Sequence, residues 1–286
     1  MKKILGLLLL SLSFTFCSEV KDSQSSLLWE ISGNGLEEPS YIYGTIHITC
    51  DASLKESIHQ AMDKTERLFL ELDMDDPNMG ASLSANIKMK NGKSLKDYTT
   101  HREYEMIKTF MDEYSDESLA KIDSLKPMMI SMYAIPGLLD CPIESFELEL
   151  MNLAHEQGKE VWGLETVEEQ LKVFDDIPYE IQVKDLLRSV RDDLEQDKEE
   201  LQKMLVAHKN ENLKDILDII QNSSALYISE YREIILEDRN LNWIPKISEA
   251  AKTKPSFFAV GAGHLPGDMG VIALLRKHGY TVKAVY

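Results

Sequence analysis

The stretch Phe257-Phe258-Ala259-Val260-Gly261-Ala262-Gly263-His264 reads as an apolar strand that runs straight into Gly-x-x-His. Tyr41-Ile42-Tyr43-Gly44-Thr45-Ile46-His47, near the other end of the chain, does the same. Aromatic and β-branched residues in such runs fit the pleated, half-buried surface of a sheet. In an open parallel sheet, ligands collect in the crevice beyond the carboxyl ends of the strands. Glycine there permits a tight turn and a close backbone approach, and a histidine three residues later is placed to face the crevice. One such segment is a common accident, and a lone histidine after a strand is more often structural. Two in matching contexts predict that His47 and His264 meet and share one divalent ion.

Working outward, Leu27–Ile31 reads as a strand joined to Tyr41–Ile46 through the Gly33-Asn34-Gly35 turn and Pro39, which predicts a hairpin. Leu54, Ile58, Ala61 and Met62 recur at helical spacing and lead into a strand over Arg67–Leu72. Strand, helix and strand in alternation predict an α/β unit with a parallel sheet. From about Ser94 to Gln157 the pattern is mostly helical, Val161–Leu164 is a short strand, and Thr166-Val167-Glu168-Glu169 is a capping box opening the next helix. Glu180 to Lys252 is long helical periodicity with almost no Gly or Pro. Strand Ser256–Val260, helix Asp268–His278 and strand Tyr280–Tyr286 close the chain. The expectation is one α/β (α+β) domain over residues 27–286. Its sheet is built from the N- and C-terminal strands, with a large, mostly helical middle region as a layer or lid.

Carboxylates at strand ends add to the histidines. In Leu68-Phe69-Leu70-Glu71-Leu72-Asp73, alternation puts Glu71 and Asp73 on one face. An acid among Phe and Leu is costly to bury unpaired, so Glu71 is a candidate ligand or base, unless this is an edge strand with its acids in water. Glu165 stands at a strand end before a helix, as a site residue or as a charge complementing the helix N-terminus. Arg239-Asn240 could hold a carbonyl or a developing oxyanion, or Arg239 could form a surface pair.

A formal net charge of −18 over 286 residues excludes nucleic acid as a partner, since phosphate binding needs basic clusters. The acidic excess, as in Asp192–Glu200, reads as a solvated helical surface. Lys2 and Lys3 before the apolar run Ile4–Leu10 mark residues 1–17 as a secretory signal, too short for a comfortable span. Cys17 sits where a lipoprotein carries its acylated cysteine, although Phe16 stands where a small residue is usual, and residues 18–26 form a polar tether. Export to the periplasm or outer cell envelope follows, with membrane contact through the lipid anchor only. Cys50 and Cys141 then remain, as one disulfide or as two buried thiols, too few for a metal finger.

The ordered set of motifs resembles the TraB/GumN (Tiki-like) family across roughly residues 27–286. It comprises Tyr43-Gly44-Thr45-Ile46-His47, Leu70-Glu71-Leu72-Asp73, Gly163-Leu164-Glu165-Thr166 with Glu169-Gln170, and Asp238-Arg239-Asn240. Val260-Gly261-Ala262-Gly263-His264-Leu265-Pro266-Gly267, Gly270 and Leu275–Val282 complete it. The resemblance implies an α/β fold shared with Tiki-type metalloproteases and, more distantly, with erythromycin esterases and haem-binding proteins. It implies manganese- or cobalt-dependent peptide cleavage at His47, His264 and Glu71, with Glu165, Arg239 and Asn240 in the pocket. Ser145-Phe146-Glu147 departs from the Gly-x-Asp of many members by one methylene, which leaves Glu147 without an assigned role.

The expected activity is metal-assisted hydrolysis of a peptide or a related amide or ester. His47, His264 and Glu71 would hold Mn, Co, Fe or Zn. Glu165 would take the proton from the bound water, and Arg239 and Asn240 would steady the oxyanion. Two rivals are a non-catalytic haem-, metal- or peptide-binding protein of the envelope, and a structural protein that docks a partner on its acidic helices.

Overall fold

A computed structural model describes residues 25–286. The secretory signal, the Cys17 anchor and most of the tether lie outside the described residues. Six strands form one sheet: β1 (Leu28–Ser32), β2 (Ser40–Thr45), β3 (Arg67–Leu72), β4 (Glu160–Glu165), β5 (Ser256–Gly261) and β6 (Thr281–Val285). Their spatial order is β4-β3-β5-β2-β1-β6. β1 pairs antiparallel with β2, as the hairpin reading requires, and on its other edge with β6. β2, β5, β3 and β4 are mutually parallel neighbours, so their carboxyl ends share one edge of the sheet.

β5, last but one in the sequence, lies between β2 and β3 near the middle of the sheet. Its sequence suits a place inside the sheet. A strand covered on both faces reads as an unbroken apolar run, and Phe257, Phe258, Ala259 and Val260 are all buried. Phe257 and Ala259 join Tyr41, Tyr43 and Leu68 in the core on one face. Phe258 and Val260 join Ile42, Trp243 and Ile247 in the core on the other. Each fully buried Phe of this strand contributes roughly 1.5–3 kcal/mol of burial free energy. Gly44 of β2 is required by closeness alone, because a Cβ there would stand 2.7 Å from Leu265 Cδ1 and 3.0 Å from Ala262 Cα.

The helical middle has a core of its own, in which Leu95, Ile107, Met111, Ile130, Leu171 and Leu186 pack together. Thr166 caps helix Val167–Asp176 in the expected box, with its hydroxyl accepting from Glu169 N–H and the Glu169 carboxylate from Thr166 N–H. The long helical run near the C-terminal strands is not uniform. Helix Leu226–Arg232 kinks at Tyr231 and passes through a π-helical turn, Glu233–Glu237, into helix Asp238–Thr253. No helix among the described residues is long and apolar enough to cross a membrane. Cys50 and Cys141 form a disulfide, which settles the choice left open by the sequence.

Candidate functional site

The shared carboxyl edge of the four parallel strands gathers the expected residues. Glu71 is the last residue but one of β3, β4 ends on Glu165 and β5 on Gly261, while His47 follows β2 and His264 follows β5. Gly261 measures how closely they converge. A Cβ added there would lie 3.3 Å from Glu71 Oε1, 3.4 Å from His47 Nε2 and 3.7 Å from His264 Cδ2. The glycine thus leaves a gap that two imidazoles and one carboxylate surround. Glu71 Oε1 also accepts Gly261 N–H at 2.8 Å and lies 3.8 Å from His264 Nε2. Asp73, expected on the same face as Glu71, lies past the strand end and accepts Asp75 N–H instead.

Helix Asp238–Thr253 brings Arg239 over these acids. Its Nη2 donates to Glu71 Oε2 at 2.6 Å and to Glu165 Oε1 at 2.6 Å, with the side chain only 11% exposed. Arg239 Nη1 donates to Ile235 O in the π-helical turn and, at 3.2 Å, to His264 Nε2. The turn thereby gains a side-chain partner, and the guanidinium is held from both sides.

Glu165 has both oxygens engaged. Oε1 takes Arg239 Nε, Arg239 Nη2 and Gln170 Nε2, and Oε2 takes Arg239 Nε and the indole N–H of the fully buried Trp243. That surplus of donors suits an anchor for Arg239 better than the proton acceptor expected from the sequence. Asn240 points elsewhere too. Its Oδ1 accepts His264 Nδ1–H at 2.7 Å, and its Nδ2 donates to His264 O and Met269 O. Adjacent helix positions diverge by about 100°. Arg239 therefore faces the acids while Asn240 stands behind His264.

These bonds fix both imidazoles. The Asn240 carbonyl holds the His264 proton on Nδ1, so Nε2 carries the lone pair. Burial, together with the positive charge of Arg239, keeps this ring neutral, its pKa lowered to about 3. His47 Nδ1–H donates to Glu147 Oε1 at 2.8 Å. The bond to Glu147 and the nearby Glu71 hold the His47 pKa up at about 9. Burial likewise opposes ionisation of Glu71, yet Arg239 first, then both imidazoles, hold its carboxyl well below the usual range.

The sequence reading named Glu147 and Gln170 among the motifs but gave neither a role in the site. Glu147 accepts from His47, Thr45 Oγ1 (2.6 Å) and Ser145 Oγ (2.7 Å). Gln170, placed by the capping box, reaches Glu165 and Glu71. A cavity of about 310 Å³ opens from the site, with Ile46, Met204, Ile220, Ile228, Ile235 and Leu236 as its apolar walls.

The donor set suits a divalent ion. Two imidazole Nε2 atoms, each with its Nδ1 side held by an acceptor, and one carboxylate oxygen are the chemistry such ions select. As they stand, no three His, Cys, Asp or Glu side chains among the described residues are already at ion-holding spacing. Arg239 takes part of the space, through His264 Nε2 and Glu71 Oε2.

Comparison with known proteins follows the same lines. The TraB/PrgY/gumN family profile matches residues 27–284. Metalloprotease TIKI1 of Danio rerio is 23% identical over 91% of this chain and 63% of that protein. Metalloprotease TIKI2 of Danio rerio is 24% identical over 91% of this chain and 61% of its own length. For Metalloprotease TIKI1 of Homo sapiens the figures are 23%, 93% and 63%. The chain therefore spans less than two thirds of the length of these relatives. No solved structure matches.

Proposed function

We propose, from the premise that this chain belongs to the TraB/PrgY/gumN family, that it is a metal-dependent hydrolase acting on a peptide bond. The observation that carries the reading is the gap beside Gly261, which His47 Nε2, Glu71 Oε1 and the His264 ring surround. His47, His264 and Glu71 would hold the ion. When bound, a divalent ion lowers the pKa of water and polarises a carbonyl. Arg239 supplies a buried positive charge beside the reacting carbonyl, where negative charge develops. Glu165, Gln170 and Trp243 hold Arg239 and Glu71 in place, and Asn240 holds His264. The apolar cavity accepts the part of the substrate next to the scissile bond and keeps water away from it.

The relatives' printed name, metalloprotease, supports a hydrolase of this kind. The test is cleavage of a peptide pool with added Mn²⁺ and with chelator, by the wild type and by a His47→Ala, His264→Ala double variant. We expect metal-dependent cleavage that the double variant loses. Unchanged cleavage in that variant rejects the reading.

A second reading, a binding protein without turnover, is favoured by Arg239, which competes with an ion for His264 Nε2 and Glu71. Stoichiometric peptide binding with no cleavage at any metal concentration would select it. Export and a lipid anchor at Cys17 belong to the same proposal. A Cys17→Ala chain is then expected to leave the membrane fraction and to lose incorporation of labelled fatty acid.

A further inference from the structure

We propose that Glu147 is a positioning residue of this centre, fixing His47 so that its Nε2 faces Glu71 and His264. The inference rests on the metal-centre reading for its purpose, though not for its geometry.

Glu147 lies in the first turn of helix Phe146–Glu156, and its side chain is 14% exposed. Three donors from two separate segments converge on it: Thr45 Oγ1 at 2.6 Å, Ser145 Oγ at 2.7 Å and His47 Nδ1 at 2.8 Å. Hydrogen bonds to a carboxylate favour its charged form, which can only accept. His47 Nδ1 is taken up by this contact, and Nε2 is the ring nitrogen left towards the gap beside Gly261. Thr45 closes β2 and His47 follows two residues later, so one carboxylate grips both the strand end and the ring beyond it. The His47 ring is otherwise 65% exposed and has no other hydrogen-bond partner among the described residues.

The two segments are also joined independently of this contact. Thr49 and Glu144 exchange backbone hydrogen bonds at 3.1 and 2.8 Å. Glu144 Oε2 accepts Ala52 N–H at 2.8 Å, and Cys50 is bonded to Cys141. The helix that carries Glu147 is thus held against the turn that carries His47, and the carboxylate meets the ring at a fixed distance. Aspartate at this position would be shorter by one C–C bond, about 1.5 Å.

The experiment compares full-chain wild type with Glu147→Ala and Glu147→Gln by two readouts. Proton and ¹⁵N NMR of the metal-free protein follows the hydrogen-bonded Nδ1 proton of His47, assigned by its loss in His47→Gln. Visible absorption during Co²⁺ titration reports metal affinity. We expect the Nδ1 resonance to be lost in Glu147→Ala and Co²⁺ affinity to fall about 10- to 100-fold, the usual effect of removing a ligand's supporting partner. Glu147→Gln keeps an acceptor oxygen and should recover part of both. A Glu147→Ala chain that keeps the resonance, or binds Co²⁺ within twofold of wild type, overturns the proposal. If wild type shows the resonance, Glu147→Ala loses it and neither binds Co²⁺, the orientation is supported and the metal reading fails. Should Glu147→Ala not fold, Glu147→Asp decides by the same two readouts, with intermediate losses expected.

Discussion

Replacing Cys50 and Cys141 by serine should cost this domain a large part of its stability. The two residues are 91 positions apart. In the chain-entropy account, opening a loop of that length returns about 4.6 kcal/mol of freedom to the unfolded ensemble. Strain or residual structure would reduce the figure, so it is an upper estimate. For a domain somewhat above 200 residues each kcal/mol moves the melting temperature by roughly 2–4 °C, so a fall on the order of 10–15 °C is expected. The assay is scanning calorimetry of three samples in a Cys17→Ala background: oxidised, treated with dithiothreitol, and the Cys50→Ser, Cys141→Ser variant. The reduced sample and the variant should melt together, well below the oxidised one, and denatured oxidised protein should show no free thiol. A variant melting within about 3 °C of oxidised protein would refute the reasoning.

Gly261→Ala should leave the fold intact, since the position has ordinary strand-end torsions, yet its methyl group would enter the gap between Glu71 Oε1 and His47 Nε2. Co²⁺ affinity should fall at least tenfold with little change in melting temperature. Arg239→Met would leave Glu71 and Glu165 buried without their cation, costing about 3–5 kcal/mol in urea denaturation at neutral pH. That loss should shrink toward pH 4, where protonation relieves the stranded carboxylates; a loss independent of pH contradicts the argument.

His208 is buried against Tyr43 and Phe146, with its Nε2–H donating to Gly44 O, and burial holds its pKa below the ordinary value. The unfolded state then binds the extra proton, so this contribution is complete above about pH 6.5 and is lost as pH falls, by at most about 1.4 kcal/mol per unit. His208→Gln should flatten that slope in denaturation curves from pH 7.5 to 5.5. Ile228→Trp, which fills the apolar cavity, should lower kcat/KM for peptides with a bulky apolar residue and spare glycine-rich ones. Equal losses on both would sink the cavity's proposed role.

The parts of the fold that were legible share a physical cause. β2 and β5 are covered on both faces, so each appears as a continuous apolar run, and the glycines mark where backbone passes close to backbone. Glu165 and Thr166 were readable because a strand end and a capping box are local patterns. Nothing local sets β5 between β2 and β3. The partners of Arg239 and Asn240 depend on the phase of one helix, which a π-helical turn resets. Glu147 meets a ring 100 residues earlier in the chain, so neither its partner nor the Cys50–Cys141 pairing is visible from neighbouring residues.

The late arrival of β5 also matters for biosynthesis. A nascent chain that has emerged through its helical middle still lacks the strand that separates β2 from β3, and His264 has yet to be translated. The cluster therefore cannot assemble until β5 and His264 have followed β2, β3 and the helical middle out of the ribosome.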